Sequence, residues 1–121
     1  MRPAIAVVLV VALAACGVID GPVAIRTRGQ PDDTCLQARV GGTLVADSTF
    51  GLAFQNDGYR NGIVWPYGYS ARRQSGVIVL VGPSGAVVAR EGDRILAAGG
   101  SSGEDAVGVY CSIKVNPSPG G

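Results

Sequence analysis

The chain is expected to be all-β: a small closed or partly open β-barrel of six or seven short strands, OB-like or SH3-like, with a two-sheet β-sandwich as the alternative. Three observations point there. Nineteen glycines and seven prolines in 121 residues demand many tight turns. After residue 16 no segment keeps an apolar period of 3.6 residues for three turns. Short runs that alternate, or that are rich in β-branched residues, recur instead, each bounded by turn residues.

Residues 40–46 place Val40, Leu44 and Ala46 around Gly41-Gly42, which predicts a bent or bulged first strand. Residues 49–55 alternate Phe50, Leu52 and Phe54 with smaller or polar neighbours, giving one buried face. Asn56-Asp57-Gly58 is a turn, because all three residues tolerate left-handed backbone angles. A second turn at Asn61-Gly62 leads into Ile63-Val64-Trp65, which Pro66 ends by removing a ladder donor. The run from Val77 to Val81 is continuously apolar, as expected of a strand covered on both faces. Gly82-Pro83-Ser84-Gly85 turns the chain, so that residues 86–90 return as its hairpin partner. Glu91-Gly92-Asp93 turns it again into residues 94–98, and residues 99–103 read as a glycine and serine loop. The last strand, residues 106–115, sets Val107, Val109, Cys111, Ile113 and Val115 on one apolar side.

Ahead of these strands stands an export leader. Arg2 and the terminal amine give a positive start, and residues 4–15 are twelve consecutive apolar residues, well short of the roughly 20 that span a bilayer. Leu13-Ala14-Ala15-Cys16 resembles the lipobox of bacterial lipoproteins. The small side chains of Ala14 and Ala15 let an extended backbone enter a protease groove, and the Cys16 thiol is the nucleophile that takes the lipid. The resemblance implies a diacylglyceryl thioether at Cys16, cleavage before it and acylation of the new amine, an anchor that does not readily leave the membrane.

The chain then divides into a signal peptide (1–15), a lipidated N-terminus and flexible stalk (16–34), a barrel domain (35–115) and a disordered tail (116–121). The expected address is the cell envelope, outside the cytoplasm and anchored to the cell membrane. Gly17 follows the cysteine where an Asp would mark inner-membrane retention, so a two-membrane cell would carry the protein on its outer membrane.

Ten basic and nine acidic residues become nine of each once Arg2 leaves with the leader. Only Arg72 and Arg73 adjoin, so no basic run favours nucleic acid. With Cys16 lipidated, Cys35 and Cys111 remain as a pair in an oxidising compartment, and a disulfide is expected. The chain has no histidine, which leaves neither a zinc set nor a Ser-His-Asp triad. No cofactor and no metal is expected. Asp32-Asp33 and Glu104-Asp105 lack calcium-loop spacing, and Gly82-Pro83-Ser84-Gly85 lacks the Gly-Lys ending of a phosphate loop.

The nine arginines and the excess of Ala, Gly and Val suggest a high-GC genome. Trp65-Pro66-Tyr67-Gly68 and Gly92-Asp93-Arg94-Ile95 are similar to stretches in uncharacterised exported proteins of high-GC bacteria, and residues 41–111 resemble OB-like or SH3-like barrels. That resemblance implies no catalytic residue.

The candidate site is aromatic. Trp65, Tyr67 and Tyr69 alternate around Pro66 and Gly68, with Tyr59 and Arg60 before them and Arg72-Arg73 after. Aromatic faces beside cations can stack a sugar or dock a protein; the plainer alternative has Trp65 anchoring the core. The expected function is a lipid-anchored, non-enzymatic interaction or structural module with an envelope protein or polysaccharide as partner. The alternatives are a small hydrolase or inhibitor using loop carboxylates among Asp47, Asp57, Glu91 and Asp93, and a tethered small-ligand-binding domain.

Overall fold

The computed structural model describes residues 20–31, 34–103 and 105–117. The expected export leader and Cys16 lie outside them, as do Asp32, Asp33 and Glu104. All regular structure among the described residues is strand. Two short strands come first, β1 (Gly21–Val23) and β2 (Arg26–Thr27). A meander follows, β3 (Ala38–Asp47), β4 (Gly51–Asn56) and β5 (Tyr59–Trp65). Next come β6 (Ser70–Gln74), β7 (Val77–Val81) and β8 (Val87–Arg90), then the long pair β9 (Arg94–Ser101) and β10 (Ala106–Asn116).

They form two sheets. One has the order β1-β6-β7-β8 and the other β10-β9-β3-β4-β5-β2, with β10 also paired to β5. The β10–β5 and β2–β5 pairings are parallel and the rest antiparallel.

Local chemistry sets the turns. Asp47 accepts the backbone N–H groups of Thr49 (3.0 Å) and Phe50 (2.8 Å) through Oδ2, which closes the β3–β4 connection. Those two residues belong to the turn, so β4 begins at Gly51 and not at the expected Thr49. The turn Asn56-Asp57-Gly58 forms as expected, with Gly58 at φ 79°. Ser75 and Gly76 both take positive φ (54° and 82°) between β6 and β7, the backbone that lets a two-residue hairpin follow strand twist.

The sheets share one core. Leu44, Leu52, Phe54, Ile63, Trp65 and Val109 of the larger sheet meet Ala71, Ile78, Leu80 and Ala89 of the smaller. Four successive β7 residues, Ile78 to Val81, are buried, as their unbroken apolar run predicts for a strand covered on both faces. Phe54 meets the Trp65 ring edge-on at 6.2 Å, and Tyr69 stacks on it at 6.1 Å. Glu91-Gly92-Asp93 is the corner between the sheets. Glu91 N–H donates to Ile78 O (2.8 Å) and its Oε1 accepts Ile78 N–H (3.0 Å), while Gly92 N–H donates to Leu44 O and Leu44 N–H to Asp93 O, both at 2.9 Å. One turn thereby grips β7 on one side and β3 on the other.

Several expectations change. The segment read as a flexible stalk supplies β1 and β2: β1 pairs with the free edge of β6, β2 pairs with β5, and Arg28 N–H extends that contact to Trp65 O at 3.0 Å. A sheet edge left open exposes unpaired backbone groups, and the N-terminal segment covers two of them. Asn61-Gly62 is no turn but the middle of β5, paired with Phe54 and Ala53. Its glycine is required because the Phe50 ring lies where a side chain would project.

Gly99, Gly100 and Ser101 extend β9 rather than forming a loop, since Gly99 lets the Gly108 carbonyl approach closely. Asn116 belongs to β10, opposite Arg94, and not to the tail. In β10 the even alternation breaks: register shifts flank Cys111, and Ser112 takes φ 57°. The Cys35–Cys111 disulfide is present, with Cα atoms 5.9 Å apart, and it sits half-buried at this irregularity.

Candidate ligand-binding face

The aromatic and arginine residues singled out in the sequence do not assemble into one site. Trp65 is fully buried and Tyr69 packs on it, so its indole has no free face. Tyr67 and Tyr59 are exposed, but Tyr59 opens β5 and Trp65 closes it. Seven strand residues put these ends roughly 20 Å apart. Arg72 and Arg73 lie on β6, in the other sheet, where they meet Gln74 Oε1 and the Gly76 carbonyl at 3.4 Å.

Three of the four loop carboxylates are occupied by the backbone, while Asp57 lines a recess beside Arg94. Asp47 caps its own turn and lies 3.7 Å from Arg60, Glu91 holds Ile78, and Asp93 accepts Arg90 N–H at 3.0 Å while buried. Among the described residues no three His, Cys, Asp or Glu side chains are grouped to hold a metal ion.

A different surface stands out, formed by the outward side chains of β3, β9 and β10. Alternation sends Val40, Leu44, Ile95 and Ala97 into the core. It turns Arg39, Gly41 and Thr43 of β3, Arg94 and Leu96 of β9, and Lys114 and Asn116 of β10 the other way. The register then builds rows across the strands. Gly41 faces Leu96, which faces Lys114; Thr43 faces Arg94, which faces Asn116; Arg39 stands one row before Gly41.

At the centre stands Leu96, 43% exposed. Beside it Gly41 contributes no side chain, and a Cβ there would collide with the Ile95 carbonyl. Gly42, at φ 149°, and the Asn56 amide, whose Nδ2 donates to Gly41 O at 3.0 Å, hold this dent in β3. The result is a cavity of about 490 Å³, within the range typical of small-molecule sites. Smaller recesses adjoin it, one toward Gln37 and Ser112 and the other toward Thr43 and Asp57.

The charged residues that line this face are mostly cationic, with Asp57, in the recess beside Arg94, the carboxylate among them. Arg26 stacks over Phe50, Arg28 over Tyr110 with its Nη2 on Val109 O at 2.9 Å, and Arg60 reaches Asp47 and Gln55. Among the described residues four cationic side chains have no such partner: Arg39, Arg90, Arg94 and Lys114. Three of the four line the one cavity. Arg39 and Lys114 are 75 residues apart in sequence, so no run or motif announces them, and only strand register reveals the group. No family model, curated protein or solved structure matches this chain.

Proposed function

We propose that the chain is an exported lipoprotein, anchored through Cys16, whose domain is a non-enzymatic binding module of the cell envelope with the β3–β9–β10 face as its ligand surface. The domain in this reading is a five-stranded barrel of OB type. The pairings support it: β3, β4 and β5 run as a meander, β5 pairs in parallel with β10, β10 with β9, and β9 with β3 again. That ring of neighbours is the strand order of an OB barrel, with β6, β7 and β8 inserted between its third and fourth strands. The anchor rests on the lipobox-like Leu13-Ala14-Ala15-Cys16.

The observation that carries the binding assignment is the set of three unpartnered cations around a half-exposed leucine in one cavity. Binding there needs no group that moves protons or attacks a substrate, and Asp47, Glu91 and Asp93 are engaged in holding turns.

The test has two arms. Labelling of growing cells with a fatty acid should mark the wild-type chain and leave Cys16→Ser unmarked; equal labelling removes the anchor. The melting temperature of the full chain is then measured against a panel of neutral sugars, amines, carboxylates and phosphates, because a ligand that binds only the folded form raises it. Stabilisation by some member that disappears in Leu96→Asp supports the face as the binding surface. Stabilisation that survives Leu96→Asp moves the site elsewhere.

A further inference from the structure

The spacing of the three cations identifies a chemical class of ligand. Along the strand direction they occupy successive rows: Arg39 opposite Ala98, Lys114 opposite Leu96, and Arg94 opposite Thr43 and Asn116. Each row is two residues, so positive charge recurs roughly every 7 Å along the face. The cavity and the recess toward Gln37 and Ser112 share Arg39, Leu96 and Lys114, while the cavity and the recess toward Thr43 and Asp57 share Asn56 and Arg94. The three together form one continuous groove along the face.

A compact anion would use one end of such a groove and leave the other cations idle. A chain with a negative charge every few bonds uses all of them. Among the described residues no aromatic side chain lines the groove, whereas surfaces that bind single-stranded nucleic acid combine cations with rings on which bases stack. Leu96, between the cations, suits the methylene groups of an aliphatic backbone.

We infer that the groove binds a linear, non-aromatic polyanion of the phosphodiester-linked polyol type, held at about three successive charges; this rests on the assignment of the β3–β9–β10 face as the binding surface. Affinity comes mainly from release of counterions and of bound water, with each guanidinium or ammonium meeting one phosphodiester. Specificity over a monomeric phosphate comes from engaging several charges at once.

The experiment uses the full chain, lipidated and in neutral detergent, with glycerol phosphate, its trimer and its hexamer joined by phosphodiesters, and a thymidine hexanucleotide as probes. Affinity is read by titration calorimetry. The expected result is binding that strengthens steeply from monomer to trimer and little beyond, and that weakens as salt rises. Arg39→Gln, Arg94→Gln and Lys114→Gln each lower the trimer affinity about three- to fivefold. Each also reduces the salt dependence by roughly a third. All three side chains are solvent-exposed, so unchanged melting temperatures show that the fold is intact.

Equal affinity for monomer and hexamer, tighter binding of the thymidine hexanucleotide, or no binding of any phosphate overturns the polyanion. A neutral sugar that stabilises the chain and is lost in Leu96→Asp overturns it too while leaving the face as the binding surface.

Discussion

The Cys35–Cys111 disulfide offers the largest single stability effect that can be worked from the structure. The cysteines are 76 residues apart, so the bond closes a loop of about 77 residues that contains every strand from β3 to β9 and half of β10. In the chain-entropy account, opening such a loop returns about 15 cal/mol/K to the unfolded ensemble, or about 4.5 kcal/mol at 25 °C. The native state contributes little to the difference, because both cysteines are half-buried and serine can replace them without stranding a polar group. Domains of this size are stable by about 5–15 kcal/mol, so the bond carries a large share.

The variant Cys35→Ser/Cys111→Ser is compared with wild type by urea unfolding. Fluorescence of Trp65, the chain's one tryptophan and a fully buried one, follows the transition. With a urea slope of about 2 kcal/mol/M the midpoint should fall by about 2 M. The slope itself should rise, because the unbridged chain exposes more surface when it unfolds. A midpoint shift below about 0.5 M, which corresponds to about 1 kcal/mol, refutes the loop-closure reasoning.

Three further outcomes follow from particular contacts, all readable as thermal or urea stability. Gly41→Ala meets the Ile95 carbonyl and should cost more than about 2 kcal/mol, whereas Gly58→Ala has open space but a φ of 79° and should cost about 1 kcal/mol, most of it recovered by Gly58→Asn. Glu91→Ala leaves the Ile78 N–H without its carboxylate acceptor and should lose about 1–3 kcal/mol, with a smaller loss for Glu91→Gln, which keeps an acceptor oxygen. Tyr69→Ala removes the ring stacked on Trp65 and should lose about 2 kcal/mol, while Tyr67→Ala, at a site 52% exposed, should stay within about 0.5 kcal/mol.

The elements that could be read from the residues alone are those whose physics is local. Asn56-Asp57-Gly58 bends because its own dihedral preferences allow it, and the Val77–Val81 run is buried because nothing polar interrupts it. The disulfide was legible from the cysteine inventory. What could not be read depends on partners distant in sequence. Gly21–Val23 and Arg26–Thr27 have no strand signal of their own and are extended only because β6 and β5 present open edges. Gly62 and Gly99 look like turn residues until the Phe50 ring and the Gly108 carbonyl are seen pressing against them. The cationic face is the extreme case, since Arg39, Arg94 and Lys114 meet only through the β3–β9–β10 register. The aromatic stretch shows the converse: neighbours in sequence, Trp65 and Tyr67 are separated by burial, with Trp65 anchoring the core as the plainer reading had it.

The pairing of β1 with β6 also sets a leash length. Gly21 lies opposite Arg73 and Pro22 opposite Arg72, and Gly21 follows Cys16 by five residues. Five residues at full stretch reach about 18 Å. A lipid on Cys16 would therefore keep the β6 edge, with its paired arginines, close over the headgroups, and the molecule would search a thin two-dimensional layer instead of the surrounding volume. Whatever it captures would have to be threaded through, or lie upon, that same layer.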